Sequence, residues 1–155
     1  MNDLTRDEQG AHGKDVNDEI LQFRVKTEEE SYNVEATVLR VGHDWLVSIW
    51  GGSRPHIGAV AAAQPRQSLE GTGAISATAS VLCLLGHKED VIVKDISEKL
   101  AASLKTNVVV TAGVHWDHID SEGIQKVLEN SRMLITKIEE KIHQCEQEPC
   151  QKESL

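Results

Sequence analysis

Aromatic residues are scarce in this chain: phenylalanine, tryptophan and tyrosine together make up 3% of its 155 residues. Single-stranded RNA is commonly bound by stacking bases on aromatic clusters, and no such cluster is present. Basic residues are also outnumbered, with 16 Lys plus Arg against 25 Asp plus Glu and a net charge of -9. Because neutralising phosphates needs a basic face, we expect no nucleic-acid partner and a core built from aliphatic side chains.

Long apolar runs are missing as well. No stretch of about eighteen apolar residues exists, so we expect no membrane span. Residues 1–8 contain no apolar region of the kind that a secretory signal requires. Three cysteines are an odd number for a disulfide framework, and Cys83, inside an apolar run, is predicted to be a buried thiol. A reducing cytoplasm is the expected compartment.

Several well-known catalytic and nucleotide-binding motifs are also absent. The chain has no glycine-rich dinucleotide fingerprint after its first strand and no phosphate loop ending in Gly-Lys-Ser/Thr. It has no Gly-x-Ser-x-Gly nucleophile elbow, no His-Glu-x-x-His pair and no Cys-x-x-Cys. These absences argue against a dinucleotide enzyme, a nucleoside triphosphatase and a serine hydrolase.

Hydrophobic periodicity predicts one domain over residues 18–143, between a disordered extension over 1–17 and a polar tail over 144–155. We predict a polar loop at 64–73, a helix from 86–90 to about 105, and a last helix capped by Asp120 or Ser121. Strands are predicted at 19–26, 32–41, 45–50, 57–63, 74–85 and 107–113, with a helix as the alternative for 74–85 because alanine is frequent there. This order predicts an α+β fold, an antiparallel sheet with two helices on one face. The other face would be solvated or covered by a second subunit. The apolar strands and the long last helix favour a homodimer.

Three clusters that combine glycine with histidine follow or precede predicted strands, at residues 51–58, 86–90 and 111–118. In the first, the Gly51-Gly52 amides and Arg54 suit an anionic oxygen, and His56 adds an imidazole. A bulged β-connection is an equally weighted explanation of this segment. The second cluster begins a helix, where free N–H groups favour anions. We hypothesise that all three meet at one edge of the sheet.

If His56, His87 and His115 meet, they can form a three-histidine zinc site with an open fourth position, to which Asp117 can contribute. The favoured alternative is that these histidines hydrogen-bond a ligand or nearby backbone. Trp50 and Trp116 lie close to the clusters in sequence. Ligand stacking and an interface role remain equally open for them.

The three clusters together resemble the prenylated-flavin chaperone family typified by LpdD, small proteins associated with gallate decarboxylase systems. The resemblance covers roughly residues 30–127. The motifs that carry it are Gly51-Gly52-x-x-Pro55-His56-Ile57-Gly58-Ala59-Val60, Gly86-His87-Lys88-x-Asp90 and Val109-Val110-Thr111-Ala112-Gly113-Val114-His115-x-Asp117. It implies a dimeric protein similar in fold to the eukaryotic proteasome-assembly chaperones. It also implies a non-catalytic role: binding reduced prenylated FMN and passing it to a UbiD-type decarboxylase.

Carried onto this sequence, the resemblance implies a cofactor-binding set with no catalytic or metal-binding member. Its members are Gly51, Gly52, Arg54, Pro55, His56, Ile57, Gly58, His87, Lys88, Thr111, Gly113 and His115. Two alternatives stay open from the residues themselves. One is a metal-dependent hydrolase using His56, His87, His115 and Asp117, and the other is a protein-assembly chaperone that binds no small molecule.

Overall fold

A computed structural model describes residues 21–69 and 73–147. The expected disorder of residues 1–17 lies outside these ranges, as do residues 148–155 of the predicted tail. Within these two ranges, six strands and two helices follow one another. They are β1 (Gln22–Lys26), β2 (Val34–Val41), β3 (Asp44–Gly52), β4 (Ala59–Gln67), β5 (Ile75–Cys83), α1 (Asp90–Leu104), β6 (Val108–His115) and α2 (Ser121–Gln147).

Strict alternation of side chains buries one face of the sheet. Val34, Ala36 and Val38 of β2 are fully buried, while their neighbours in the strand face away. Helix α1 packs on β4, β5 and β6, α2 packs on β1 and β2, and the two helices contact each other. Leu100 and Leu134, one from each helix, are fully buried in the resulting core. The predicted α+β class and the two helices on one face are therefore confirmed.

The sheet has the strand order β1-β2-β3-β6-β4-β5, so the last strand is inserted between β3 and β4. Four of the neighbouring pairs are antiparallel, as expected, but β3 and β6 are parallel. The cause is the connection through α1, because a helical crossover returns the chain in the direction of the preceding strand. Strand β6 therefore runs with β5 and β3 and against β4, and the sheet is mixed.

Three predictions about local structure are corrected. The predicted loop at 64–73 is wrong in its first part, because β4 continues to Gln67. Proline has no backbone N–H to donate to a neighbouring strand. Pro65 is tolerated in β4 because the pairing of β4 with β6 ends at Ala63, so no β6 carbonyl needs a hydrogen bond from position 65. The predicted tail is wrong in its first four residues, since α2 extends to Gln147. Cys83 is exposed, because β5 is an edge strand.

The second face of the sheet is not covered by either helix. Trp50 and Thr111 lie on this face and are partly exposed, and Leu82 is 63% exposed. The hydroxyl of Thr111 is buried and has no hydrogen-bond partner among the described residues. Within these residues, neither helix is long and apolar enough to cross a bilayer.

Candidate functional site

One edge of the sheet gathers the loops that carry the three clusters. Parallel strands β3 and β6 end side by side, with Gly52 in register with His115. Strand β4 begins at the same edge, with Ala59 opposite Ala112, and β5 ends there with Cys83 opposite Ala59. The loops after β3, β5 and β6 therefore leave the sheet together, although more than sixty residues separate the first from the last.

The three histidines of these loops lie close together, which confirms the expected convergence. The ring centroids of His56 and His87 are 4.6 Å apart. Those of His56 and His115 are 6.4 Å apart. All three rings are partly buried. The neighbours of each ring nevertheless divide the group into two clusters with different chemistry.

The first cluster joins His56 and His87 to Glu89, which the sequence analysis did not select. The Nε2 atom of His56 lies 3.0 Å from Nδ1 of His87 and 3.3 Å from Oε1 of Glu89. Oε2 of Glu89 is 3.6 Å from Nδ1 of His87. The Glu89 side chain is only 9% exposed, and it accepts a 3.0 Å hydrogen bond from the Lys88 backbone N–H. The sequence signal for this residue was the His-x-Glu spacing at the start of α1.

Two glycines of the expected binding set hold this cluster through close packing. A Cβ at Gly58 would lie 2.4 Å from Oε2 of Glu89. A Cβ at Gly113 would lie 2.0 Å from the backbone oxygen of His56. The Gly58 N–H also donates to Ala112 at 2.8 Å, which ties the start of β4 to β6. Only glycine lets the His56 segment approach β6, and the Glu89 carboxylate approach the residue before β4, so closely.

The glycine pair at the end of β3 has separate physical requirements at its two positions. Gly51 is buried, and a Cβ there would lie 2.8 Å from the Trp116 ring. Gly52 has φ +84°, and a Cβ there would lie 1.8 Å from the His115 carbonyl oxygen. The next N–H, that of Ser53, donates to that carbonyl at 2.8 Å. Gly52 thus supplies the left-handed backbone that turns the chain out of the sheet.

The second cluster joins His115 to Arg54 and Asp117 at the exposed rim. The Arg54 guanidinium donates to Oδ1 of Asp117 and contacts Nε2 of His115. That nitrogen is also 3.2 Å from Oδ1 of Asp117. Nε2 of His115 must accept a hydrogen bond from Arg54 but donate one to Asp117. The tautomer of His115 therefore determines which of the two hydrogen bonds forms. Hydrogen bonding from His115 and the charge and hydrogen bond of Arg54 lower the pKa of Asp117 below its usual 3.8.

The remaining members of the expected set lie in varied surroundings. Pro55, Ile57 and Lys88 are exposed in the loops, whereas Thr111 lies within the uncovered sheet face. Trp116 packs edge-on against Tyr32, with ring centroids 5.5 Å apart. The Trp50 ring lies on the uncovered face, where the Arg24 guanidinium is 5.9 Å from its centroid.

Exposed apolar side chains lie beside the histidine loops. Ile57 is 56% exposed, Leu84 is 43% exposed and Leu85 is fully exposed. The Leu84 N–H donates to the Gly58 carbonyl at 2.8 Å, so this apolar rim adjoins the first cluster. Exposed apolar groups that are contiguous with a polar site are typical of ligand or partner contacts.

This α+β architecture, with histidines and glycines of three loops at one sheet edge, matches a known protein class. A family model for the prenylated flavin chaperone LpdD-like domain matches residues 28–143. The chain belongs to this family, whose name specifies a chaperone of prenylated flavin. The resemblance seen in the sequence is thereby confirmed over a slightly longer span.

Two further comparisons concern individual proteins. A search of curated proteins finds no match. Among solved structures, the chain is similar to a chaperone complex for yeast 20S proteasome assembly, with 11% sequence identity and a TM-score of 0.45. The similarity covers 80% of this chain and 97% of that one.

Proposed function

We propose that this protein is a non-catalytic carrier that binds reduced prenylated FMN and delivers it to a UbiD-type decarboxylase. The observation that carries this proposal is the convergence of three family motifs at one accessible sheet edge, within a chain of the prenylated flavin chaperone family. The carrier would act in the cytoplasm, which its odd number of cysteines suits.

The rim residues fit the phosphate of such a ligand. Arg54 and Lys88 are exposed cations in two of the three loops, and α1 begins at Asp90, two residues after Lys88. A flavin phosphate is dianionic near neutral pH, so charge-assisted hydrogen bonds from these side chains suit it. Arg54 already holds the carboxylate of Asp117, which is therefore a built-in competitor for the guanidinium. Such competition suits a carrier, because a carrier must release its ligand.

The apolar rim fits the prenylated ring system. Ile57, Leu84 and Leu85 expose apolar surface directly beside His56 and His87. Covering such surface with an apolar ring is favourable, and it would also shield a reduced flavin from solvent. We propose that the ring system lies on this rim while the phosphate lies toward Arg54 and Lys88.

We also propose that the carrier is a homodimer that uses the uncovered face of the sheet. That face exposes Leu82 and part of Trp50, and it contains the Thr111 hydroxyl without a described partner. A second subunit would cover the apolar side chains and offer a partner to the hydroxyl. Sedimentation equilibrium measures this directly: a mass twice that of the chain supports the dimer, and a monomer contradicts it.

The decisive experiment for the carrier function is anoxic thermal unfolding with the reduced cofactor. Reduced prenylated FMN at about 100 times its Kd is expected to stabilise the protein by about 2.7 kcal/mol, a rise of several degrees in Tm. Reduced FMN without the prenyl group is the matched control, and it should shift Tm less because it covers less of the apolar rim. An unchanged Tm with the prenylated ligand contradicts the proposal.

Delivery needs its own assay. The loaded carrier, mixed with a UbiD-type apo-decarboxylase, is expected to yield decarboxylase activity faster than the same amount of free cofactor. Lys88→Ala should weaken cofactor binding. The control is Lys141→Ala, which removes the same charge from α2 at a point about 30 Å along the helix from its start at Ser121, and which should leave cofactor binding unchanged. Equal activation by free and carried cofactor would limit the protein to storage.

A further inference from the structure

His56, His87 and Glu89 form a compact set of metal-ligating side chains. Among residues 21–69 and 73–147, these three offer donor atoms that all lie within 4.8 Å of one another. The set differs from the three-histidine site expected from the sequence, because Glu89 takes the place of His115. Two imidazoles and one carboxylate are a donor set that zinc accepts in proteins.

The separations of the donor atoms fit a metal ion at their centre. Ligand atoms about 2.0–2.2 Å from a tetrahedral zinc ion lie about 3.3–3.6 Å from one another. The observed separations are 3.0 Å between Nε2 of His56 and Nδ1 of His87, 3.3 Å between Nε2 of His56 and Oε1 of Glu89, and 3.6 Å between Nδ1 of His87 and Oε2 of Glu89, so each carboxylate oxygen faces one imidazole. Small movements of side chains would therefore suffice to bring all three donors to bonding distance.

The surroundings of His56 support the same assignment. Its Nδ1 lies 2.9 Å from the backbone carbonyl of Arg54, to which it can only donate. In a neutral ring this leaves Nε2 as a lone-pair atom, and Nε2 is the atom that faces His87 and Glu89. A backbone carbonyl that accepts from the other ring nitrogen, and so fixes the tautomer, is a common partner of a metal-ligating histidine.

Charge balance also calls for a cation within this cluster. The Glu89 carboxylate is almost buried, and in a neutral His56 ring the lone pair of Nε2 faces both this carboxylate and Nδ1 of His87. A buried carboxylate needs a positive partner, which here is either a metal ion or a proton on one of the imidazoles. His115 is unsuited as a further ligand, because its Nε2 already contacts the Arg54 guanidinium.

We propose that His56, His87 and Glu89 bind one zinc ion and leave its fourth position open to water or another ligand. The site rests on the geometry of these three side chains and does not depend on the proposed flavin function. It is therefore tested on the flavin-free protein, so that a failure of one proposal leaves the other standing.

The test uses the full chain after removal of metals, titrated with Zn²⁺ by calorimetry and with Co²⁺ by visible absorption. We expect one equivalent per chain, with the intense absorption of four-coordinate Co²⁺. Glu89→Gln and His87→Asn should each reduce Zn²⁺ affinity by more than roughly 10- to 100-fold, which is the loss when a residue that only hydrogen-bonds a metal ligand is removed. Because glutamine still accepts from the Lys88 N–H, Glu89→Gln should keep the start of α1 intact.

His115→Asn and His118→Asn serve as matched controls and should bind Zn²⁺ as the unaltered protein does. Circular dichroism of each metal-free variant checks the fold, and His56→Asn is a third ligand variant if either of the others unfolds. The proposal is overturned if the unaltered chain binds no Zn²⁺, or if Glu89→Gln binds it undiminished. It is also overturned if His115→Asn weakens binding as strongly as His87→Asn.

Discussion

The backbone oxygen of His56 lies against Gly113, so closely that a Cβ at position 113 would be 2.0 Å from it. We predict that Gly113→Ala forces the loop after β3 away from β6, because neither backbone can yield at that distance. The loss of unfolding free energy should be about 1–3 kcal/mol, measured by urea denaturation. Separation of His56 from His87 should also weaken both Zn²⁺ and flavin binding.

Gly42→Ala is the control for this substitution. Gly42 has φ +61° and no atom within 4 Å of a Cβ at that position, so alanine there meets only backbone strain. We expect a smaller loss of stability and unchanged ligand binding. If the two alanine variants bind both ligands equally well, the contact between Gly113 and His56 is not what positions the histidine loop.

Asp117 and Arg54 give a prediction about anion binding. Because its pKa is lowered by His115 and Arg54, Asp117 remains ionised at neutral pH and competes with any anion for the guanidinium. Asp117→Asn should therefore tighten binding of reduced prenylated FMN roughly two- to fivefold, measured by anoxic titration. Glu122→Gln, which also removes one exposed negative charge, should have a smaller effect. Weaker binding by Asp117→Asn would assign the carboxylate a direct role in holding the ligand.

Asp95 gives a prediction about pH. Burial raises the pKa of this carboxyl, but hydrogen bonds from Lys99 and Arg132 outweigh burial and hold the pKa below 3.8. A depressed folded-state pKa means that the stabilisation is present above the unfolded value of 3.8 and is lost as pH falls through the folded value. Since Arg132 belongs to α2, Asp95→Asn should loosen the contact between the helices.

We expect Asp95→Asn to cost up to about 1 kcal/mol at neutral pH, because the site is partly exposed. The cost should fade as pH drops below 3.8. Urea denaturation across this range measures it, with Glu129→Gln, on the exposed side of α2, as the control. A cost that does not change with pH would indicate that packing, rather than charge, is what Asp95 contributes.

Asn130 anchors α2 to the turn before β2. Its buried amide donates to the carbonyls of Ser31 and Tyr32, at 3.0 and 2.8 Å. Asn130→Asp keeps the shape but removes the donor, so both carbonyls would face a carboxylate. We predict a loss of about 2–3 kcal/mol of unfolding free energy at neutral pH. Gln125→Glu, the same exchange at an exposed position, should cost much less, and equal losses would contradict the anchoring role.

Local pattern was sufficient for most of the fold. The alternation of Val34, Ala36 and Val38 is a property of one strand, and it predicted the buried face because sheet geometry forces every second side chain to one side. The cap of α2 was equally local, since the Asp120 carboxylate accepts from the Gly123 N–H at 2.8 Å. The predicted end of β4 was wrong because proline usually interrupts a strand that is paired on both sides. At Pro65, β4 is no longer paired with β6, so the strand continues.

The site was less accessible to sequence reasoning, because its contacts depend on strand pairing. The convergence of His56, His87 and His115 was inferred from the position of each loop relative to a strand end, and the parallel pairing of β3 and β6 realises it. Glu89 follows His87 by two residues, yet its contact with His56 spans 33 positions. No periodicity signals a contact of that kind. The pairing of Arg54 with Asp117 was missed for the same reason.

Because β6 lies between β3 and β4, the stage of synthesis at which β6 emerges determines when the proposed cofactor can first bind. A nascent chain that ends before Val108 contains β1-β2-β3 and β4-β5 as two sheet fragments, without the strand that lies between them in the complete sheet. The β4-β5 pairing alone can bring the His56 segment to the second loop, but neither fragment contains Gly113 or His115 of β6, and the apolar edges of both stay open to other chains. We therefore expect ribosome-bound chains not to bind the proposed cofactor until β6 emerges, and the proposed delivery requires the completed sheet.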